Sequence, residues 1–259
     1  MPESDLALLT EAAHAAGRVA AGFAAKTARR WDKPGGLGPV TEADIAVNET
    51  LEQILRAARP GYGWLSEESP DDTAHRLAAA RCFIVDPIDG TRSFIEGSGT
   101  WAHSLAVAEA GTVIAAVVFL PMRERLYAAA AGQGSTLNGT PLRATGRTRL
   151  TGATVLAARP GYAPENWRGA VPQVKRLYRP SLAYRLSFVA EGRADAMFTL
   201  RPTWEWDVAA GELILREAGA ATSDRRGAGL RFNNPTPQVD GIVAANPVLH
   251  AEITGALAP

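Results

Sequence analysis

Two aspartates stand three residues apart at the end of an apolar run, in the stretch CFIVDPIDGT that begins at Cys82. Asp86 follows the apolar residues, and Asp89 is followed at once by Gly90 and Thr91. Carboxylates are ligands for hard divalent cations, and a helix starting at this Gly-Thr pair would present free backbone N–H groups to an anion. The stretch therefore predicts divalent-metal chemistry on a phosphate group, although Asp-Gly also fits a simple hairpin turn.

Two better-known acidic motifs do not fit this stretch. An aspartyl-phosphate phosphatase has one residue between its two carboxylates, whereas two residues intervene here. A calcium-binding loop has acidic residues at alternating positions, and this stretch does not. Because no nucleophile motif is present, we expect no covalent phosphoenzyme.

Further acidic residues extend the set of possible ligands. Glu67 and Glu68 lie in a loop after a short predicted strand, where a solvated surface is the plain alternative. Asp207 begins a predicted buried helix and Asp44 lies in the first turn of another, so both also fit helix-capping roles. Hard oxygen ligands in this number suit Mg²⁺. One cysteine and four scattered histidines give no zinc pattern, and His103 fits either a wall of the site or a packed core.

Apolar periodicity places these residues on helices and strands. Apolar residues recur at helical spacing over 4–29, and a second helix begins after Thr41, its predicted N-cap. The middle of the chain reads as strands joined by tight turns, one of them at Ala110-Gly111. Later segments alternate between strand and helix, near 153–158, 181–191, 195–200 and 207–218.

This order of elements predicts an α/β protein in two parts. We expect an α+β N-terminal subdomain, 1–148, that carries the DPIDGT motif. An α/β C-terminal subdomain, 149–259, would carry the WDVAAG motif.

Composition limits the possible partners and compartment. The formal net charge is zero, which argues against a nucleic-acid or membrane partner held by bulk charge. The single cysteine, Cys82, excludes an internal disulfide, predicts a reducing compartment, and in its apolar run fits a buried, inert thiol. The first residues do not resemble a signal peptide, and no apolar run is long enough to cross a membrane. We therefore expect a cytoplasmic protein.

Four motifs together resemble the inositol monophosphatase superfamily, the lithium-sensitive, magnesium-dependent phosphatases. They follow the family's order across nearly the whole chain: PVTEADIAVNETL (39–51), SEES (66–69), DPIDGT (86–91) and WDVAAGELILREAG (206–219). The resemblance implies a layered αβαβα fold with two to three Mg²⁺ ions. It also implies hydrolysis of a small phosphate ester by a metal-activated water.

The resemblance implies roles for individual residues of this chain. One Mg²⁺ is expected on Glu68, Asp86 and the carbonyl of Ile88, and a second on Asp86, Asp89 and Asp207, while Glu67 or Glu68 reaches a loosely held third.

A second set of implied roles concerns water and phosphate. Thr91, hydrogen-bonded to Asp44, is expected to orient the attacking water, and we count Glu67 with these catalytic residues. The backbone N–H groups of Gly90 and Thr91 should hold the phosphate, which Lys33 should face.

The residues before Asp207 suggest which phosphate ester is cleaved. Leu200 stands where inositol monophosphatases usually carry a glutamate that contacts inositol. The segments RPTWEWDVAAG (201–211) and RPSLAYRLSFVAEGRADAMF (179–198) are instead similar to CysQ-type bisphosphate nucleotidases. This resemblance predicts removal of the 3′-phosphate from 3′-phosphoadenosine 5′-phosphate (PAP), with Arg201 among the substrate-binding residues although the family usually has glycine there.

Several alternatives stay open. Inositol 1-phosphate, histidinol phosphate and fructose 1,6-bisphosphate are possible substrates. Arg179, Arg185 and Arg201 fit either contacts to a second phosphate or adenine, or ordinary surface positions. A catalytically silent homologue that only binds phosphorylated ligands would be expected to have lost one of the expected catalytic or metal residues, and none is missing. Both a monomer and a homodimer are compatible with the sequence.

Overall fold

The computed structural model describes residues 4–23, 27–36 and 38–258. Within these ranges the helices are α1 (Asp5–Ala21), α2 (Glu42–Ala58), α3 (Thr73–Ala78), α4 (Thr91–Ile95), α5 (Leu182–Ala190), α6 (Glu205–Glu217) and α7 (Pro247–Ala256). The strands of the first half are β1 (Arg30–Asp32), β2 (Pro39–Thr41), β3 (Gly63–Ser66), β4 (Arg81–Asp89), β5 (Ala102–Glu109), β6 (Thr112–Leu120), β7 (Arg125–Ala130), β8 (Ser135–Leu137) and β9 (Thr140–Pro141). Those of the second half are β10 (Thr154–Leu156), β11 (Lys175–Leu177), β12 (Ala196–Thr199), β13 (Thr203–Trp204), β14 (Ala221–Ser223), β15 (Gln238–Val239) and β16 (Ile242–Ala245).

A seven-stranded sheet runs in the order β3-β4-β5-β6-β7-β8-β9. Its strands pair antiparallel except for β3 and β4, which are parallel. The apolar faces of α1 and α2 cover one side of this sheet, in a core that includes Leu9, Val47, Leu51 and Phe83. Both helices have N-caps that fix where they start: Ser4 caps α1, and Thr41 with Asp44 forms a capping box on α2.

A second, five-stranded sheet runs in the order β11-β10-β12-β16-β14. Helices α5 and α6 lie between the two sheets, in a core that joins Leu186 and Leu213 to residues such as Ala106 and Ala244. Helix α7 covers the outer face, where Leu249 and other apolar residues pack on β12 and β16. The resulting helix–sheet–helix–sheet–helix layering confirms the expected αβαβα class.

Most predicted elements are present, with two differences in extent. The helix expected over 4–29 ends at Ala21, and residues 24–26 of that range lie outside the described residues. The apolar run before Asp86 lies in a strand that extends beyond the run, through Asp89. The tight turn at Ala110-Gly111 is confirmed, since both residues have positive φ, 50° and 82°.

The division at 148/149 lies between the last strand of the larger sheet and the first strand of the smaller one, and it stays a prediction. Cys82 is fully buried in β4, and burial raises the pKa of its thiol to about 12, which agrees with an inert side chain. Among the helices of the described residues, none has the length and apolar character needed to span a bilayer.

Candidate active site

A cavity of about 790 Å³ opens where the end of β4 meets α4 and the first turn of α6. Its lining contains many of the predicted site residues: Glu67, Asp86, Ile88, Asp89, Gly90, Thr91, Arg201 and Asp207. Segments from both halves of the chain therefore form one cavity.

Three carboxylates converge in this cavity. Glu67 directly follows β3, Asp86 lies in β4, and Asp207 lies in the first turn of α6. One carboxylate oxygen from each lies within 4.8 Å of the other two. The hydroxyl of Ser104 on β5 donates to the carbonyl of Trp206 at 2.9 Å, which ties the start of α6 to the larger sheet beside Asp207.

The electrostatics of the three carboxylates call for a cation. Asp86 is 1% exposed, and its Oδ1 has no hydrogen-bond partner among the described residues. Burial raises the pKa of Asp86 well above its ordinary range, and the neighbouring negative charges of Glu67 and Asp89 raise it further. Burial also raises the pKa of Asp207, with the charge of Asp89 adding to the effect. A hard divalent cation fits this donor set because it supplies positive charge and accepts the unpaired oxygen as a ligand.

Asp89 is oriented by the start of α5. Its Oδ2 accepts hydrogen bonds from the hydroxyl of Ser181, at 2.7 Å, and from the backbone N–H of Ala183, at 2.6 Å. Burial raises the pKa of Asp89 to about 6, although these hydrogen bonds oppose the increase. Sequence reasoning missed Ser181, which also caps α5 by accepting from the N–H of Tyr184. A serine immediately before a helical pattern was the available signal.

Thr91 and Asp44 form the predicted hydrogen bond. The Thr91 hydroxyl donates to Asp44 Oδ1 at 3.1 Å and lies 3.2 Å from the carbonyl oxygen of Ile88. The other oxygen of Asp44 accepts from the backbone N–H and the hydroxyl of Thr41. Asp44 thus caps α2 and holds Thr91 at the same time, so the capping and catalytic interpretations of Asp44 do not exclude each other.

The Gly-Thr pair starts a short helix at the edge of the cavity. Gly90 has a φ of 100°, in the left-handed region that favours glycine, and α4 begins at Thr91. A Cβ atom at Gly90 would lie 3.5 Å from Trp101, an ordinary contact distance, so it is the backbone conformation that favours glycine here. This close backbone turn places Gly90 and Thr91 in the lining, where the predicted phosphate contacts would be made.

Lys33 lies between Glu67 and Glu68. Its Nζ is 2.8 Å from Glu67 Oε1 and 2.6 Å from Glu68 Oε1. Burial would lower the pKa of Lys33, but the charges and hydrogen bonds of the two glutamates outweigh it and the pKa is raised. Burial raises the pKa of Glu68 to about 7, although the hydrogen bond from Lys33 opposes this.

The geometry favours a different division of roles between the two glutamates from the one that the sequence suggested. The sequence interpretation gave Glu68 to the first metal and gave Glu67 an outer, catalytic role. Among the described residues, the carboxylate that joins Asp86 and Asp207 is that of Glu67. The register of the sheet agrees with this assignment: Ser66 pairs with Val85, and the N–H of Glu67 donates to the Val85 carbonyl, which brings the backbone of Glu67 next to the residue that precedes Asp86.

Two of the three candidate arginines reach the cavity. Arg185 is buried, its Nε donates to the carbonyl of Arg179, and its guanidinium lies 4.6 Å from the centre of the Tyr178 ring. Arg201 is exposed at the rim of the cavity. Arg179 is directed instead to the ring of Phe188, 5.2 Å from its centre.

His103 and Leu200 both pack in the protein core. His103 is fully buried, contacts the ring of Trp101, and has its Nδ1 at hydrogen-bond distance from the carbonyl of Pro87, so it packs behind the strand as the core alternative expected. Leu200 packs in the outer apolar core with Phe198.

Comparison with known proteins identifies the chain's relatives. The inositol monophosphatase family model matches residues 1–258. An inositol-1-monophosphatase of Rhizobium meliloti (strain 1021) is 36% identical over 204 residues, 73% of each chain. The Nus factor SuhB of Salmonella typhimurium (strain LT2) is 32% identical over 253 residues, 93% of this chain and 91% of its own.

Solved structures of this family share the fold. The extragenic suppressor protein suhB of Bartonella henselae superposes with a TM-score of 0.79 at 29% identity, covering 96% of each chain. The Thermotoga maritima IMPase TM1415 superposes with a TM-score of 0.83 at 25% identity, covering 96% of this chain and 95% of the other.

Proposed function

The chain belongs to the inositol monophosphatase family, and we propose that it is a Mg²⁺-dependent phosphomonoesterase whose metals are held by Glu67, Asp86 and Asp207 together with Asp89 and the carbonyl of Ile88. The observation that carries this proposal is the convergence of the first three carboxylates within 4.8 Å in a cavity. Ordinary folding does not favour such a cluster, because buried like charges repel one another.

The donor set supports Mg²⁺ in particular. All of the proposed ligands are hard oxygens, which Mg²⁺ prefers, and the cavity has room for waters and a substrate phosphate to complete its shell. Bound there, two to three Mg²⁺ ions would neutralise the phosphate charge and lower the pKa of a water molecule.

Thr91 and Asp44 supply the positioning that hydrolysis needs. A hydroxyl has one hydrogen to donate and two lone pairs that accept. Because Thr91 gives its hydrogen to Asp44, its oxygen is left to accept a hydrogen bond from a water molecule in the cavity. Asp44 cannot turn away, since Thr41 holds its second oxygen. We therefore assign Thr91 and Asp44 to orienting the attacking water, with Gly90 and Thr91 contacting the phosphate.

For the substrate, we propose PAP. Support comes from Leu200, which the structure places in an apolar core, and from Arg185 and Arg201, which line the cavity and can meet a second phosphate. The relatives named above instead favour inositol 1-phosphate as a second candidate, because the Rhizobium meliloti protein is named for that activity. A cytoplasmic location fits either substrate and also stays a prediction.

The deciding experiment is phosphate release from PAP, inositol 1-phosphate, histidinol phosphate and fructose 1,6-bisphosphate, each with Mg²⁺, with EDTA, and with added Li⁺. We expect Mg²⁺-dependent release that is fastest from PAP. Faster release from inositol 1-phosphate would contradict the substrate assignment and leave the metal chemistry standing. No release from any ester would favour the silent, ligand-binding homologue.

A further inference from the structure

One buried arginine belongs to a network outside the cavity. Arg76, on the short helix α3, has no exposed surface. Its guanidinium has five N–H groups, and each has an acceptor. Two of them form a fork with the carboxylate of Asp71, with Nε to Oδ1 at 2.7 Å and Nη2 to Oδ2 at 2.9 Å. An arginine held by five hydrogen bonds is fixed in position.

The other three acceptors lie in a distant loop, between β14 and β15. Arg76 Nη1 donates to Asn233 Oδ1, at 2.8 Å, and to the carbonyl of Asn234, at 2.9 Å. Nη2 donates to the carbonyl of Pro235 at 3.2 Å. The side-chain amide of Asn233 returns a hydrogen bond to the Arg76 carbonyl at 3.3 Å. Arg76 thus joins the loop after Glu67 to the second half of the chain.

Glu205 holds the same loop from the other side. It is fully buried, and its carboxylate accepts from the backbone N–H groups of Asn233 and Asn234, at 2.6 and 2.9 Å. The side-chain amide of Asn234 adds a third hydrogen bond at 2.7 Å. The loop is therefore clamped between Arg76 and Glu205.

The two ends of this network adjoin two of the clustered carboxylates. Asp71 lies in the loop that begins with Glu67, and Glu205 is the first residue of α6, two positions before Asp207. Glu67 and Asp207 come from opposite halves of the chain, and repulsion between carboxylates drives such segments apart. We propose that Arg76 and Glu205 are positioning residues that hold Glu67 and Asp207 at the spacing a divalent cation requires, an inference that rests on the proposed function.

Local packing supports a positioning role. A Cβ atom at Gly63, on β3, would come within 2.8 Å of the Arg76 Cα, so α3 lies directly against the strand that leads to Glu67. Asn233 has a φ of 59°, a left-handed conformation that keeps its side chain on Arg76. A buried ionic network is by itself weak evidence for a role in stability, because well-packed apolar residues often stabilise a fold as well. The location of this network, between the segments that carry Glu67 and Asp207, is therefore the informative observation.

Direct Mg²⁺ titration of the folded protein by calorimetry tests the role. The variants are Arg76→Met and Asn233→Gly; the second keeps the left-handed backbone and removes one acceptor of Arg76. The matched control is Arg81→Met, which breaks another arginine network, with Asp5 and Glu109, at the far end of β4 from the cavity. Circular dichroism gives the folded fraction of each sample, and kcat and KM are measured over a range of Mg²⁺ concentrations.

We expect both network variants to weaken Mg²⁺ binding about tenfold or more, as loss of an outer support of metal ligands usually does. Their kcat should recover at high Mg²⁺ while KM for the ester stays nearly constant. Arg81→Met should lower the melting temperature and leave Mg²⁺ affinity unchanged.

If the folded network variants bind Mg²⁺ as tightly as the wild type, the network is only structural and the inference fails. If Arg76→Met does not fold, the Mg²⁺ affinity of Asn233→Gly alone decides whether the inference holds. A wild-type protein that binds no Mg²⁺ would overturn the proposed function, and the inference with it.

Discussion

At Asp86, the carboxylate that metal binding would need also lowers the stability of the metal-free protein. It is buried, has one carboxylate oxygen without a partner among the described residues, and adjoins Glu67, Asp89 and Asp207. A carboxylate in such surroundings destabilises the metal-free fold. Strongly raised pKa values of this kind cluster at functional sites.

Replacing Asp86 with asparagine should affect stability and activity in opposite directions. The amide removes one negative charge and gives the neighbouring carboxylates a hydrogen-bond donor. We expect Asp86→Asn to raise the free energy of unfolding of the metal-free protein by about 1–3 kcal/mol and to abolish phosphate release. Denaturant melts in EDTA and the phosphate assay measure the two effects. Activity close to that of the wild type would contradict the metal assignment.

The adjacent glutamates offer a matched pair of substitutions. Lys33 pairs with both glutamates, but of the two it is Glu67 whose carboxylate lies in the cluster with Asp86 and Asp207. We expect Glu67→Gln to weaken Mg²⁺ binding about tenfold or more, and Glu68→Gln to change it less than threefold. The Mg²⁺ dependence of kcat for each variant measures this. A larger effect of Glu68→Gln would restore the original assignment.

The sequence indicated that a glutamate would join the aspartates, but its local pattern did not indicate whether this is Glu67 or Glu68. A run of two glutamates after a strand does not say which one faces the site, because successive side chains alternate in direction. Here the pairing of β3 with β4 brings the end of β3 to Val85, and the Glu67 carboxylate lies near that of Asp86. That register is a long-range property. The Thr41–Asp44 capping box, by contrast, is local, and the sequence predicted it correctly.

At the scale of elements, an irregularity in β4 brings two aspartates to one cavity. Side chains three positions apart in a regular strand point to opposite faces. The pairing of β4 with β5 shifts between Asp86 and Asp89, where three steps on one strand face two on the other. This bulge restores Asp89 to the side of Asp86, so both line the cavity. The sequence left a hairpin turn open as an alternative here, because the Asp-Gly pair that ends this segment also fits a turn.

The contact between α5 and α6 depends on the absence of a side chain. A Cβ atom at Gly211 would lie 2.6 Å from the Cβ of Leu186 and 2.5 Å from its Cδ1. Because the Leu186 Cβ cannot move away without its helix, we expect Gly211→Ala to cost about 1–3 kcal/mol of stability.

The control for this substitution is Gly255→Ala, in α7, where a Cβ atom would meet nothing within 4 Å. That change should stabilise the protein by about 0.4–1 kcal/mol. Denaturant unfolding of both variants gives the comparison. Equal effects of the two substitutions would contradict the close packing of α5 on α6.

At the scale of the whole molecule, two sheets and the helices between them create a site that neither half contains. The motifs and their order sufficed to predict the layered fold and the family, while the catalytic roles of the residues stay a prediction. The sequence did not predict the cavity, the Arg76 network or the use of Ser181, because each depends on where distant loops meet.

The buried carboxylates should make the metal-free protein sensitive to pH. Burial raises the pKa of Asp86 above its ordinary value of about 4, so the folded state keeps this proton to a higher pH than the unfolded chain does. The free energy of unfolding therefore falls as pH rises above about 4, because the unfolded chain loses the Asp86 proton before the folded protein does. Burial lowers the pKa of His103 to about 4, which changes stability in the opposite direction.

Because both proteins contain His103, the difference between wild type and Asp86→Asn removes the contribution of His103 and reports on Asp86 together with the carboxylates that interact with it. We expect the stability advantage of the variant in EDTA to grow as pH rises above about 4, and to shrink when Mg²⁺ is added at the higher pH. Thermal melts of both proteins over a series of pH values measure this difference in stability. An advantage that does not change with pH would show that Asp86 is already ionised in the folded protein at low pH.

The separation of Glu67 and Asp207 along the chain has a kinetic consequence. One lies at the end of the edge strand of the larger sheet and the other on the helix between the sheets, so their meeting closes a very long loop, and we expect it late in folding. Contacts that are absent from the folding transition state slow unfolding without speeding folding. Bound Mg²⁺ would therefore lengthen the lifetime of the folded protein while its refolding rate stays constant. The persistence of this protein under protease attack would then depend on the supply of divalent cations.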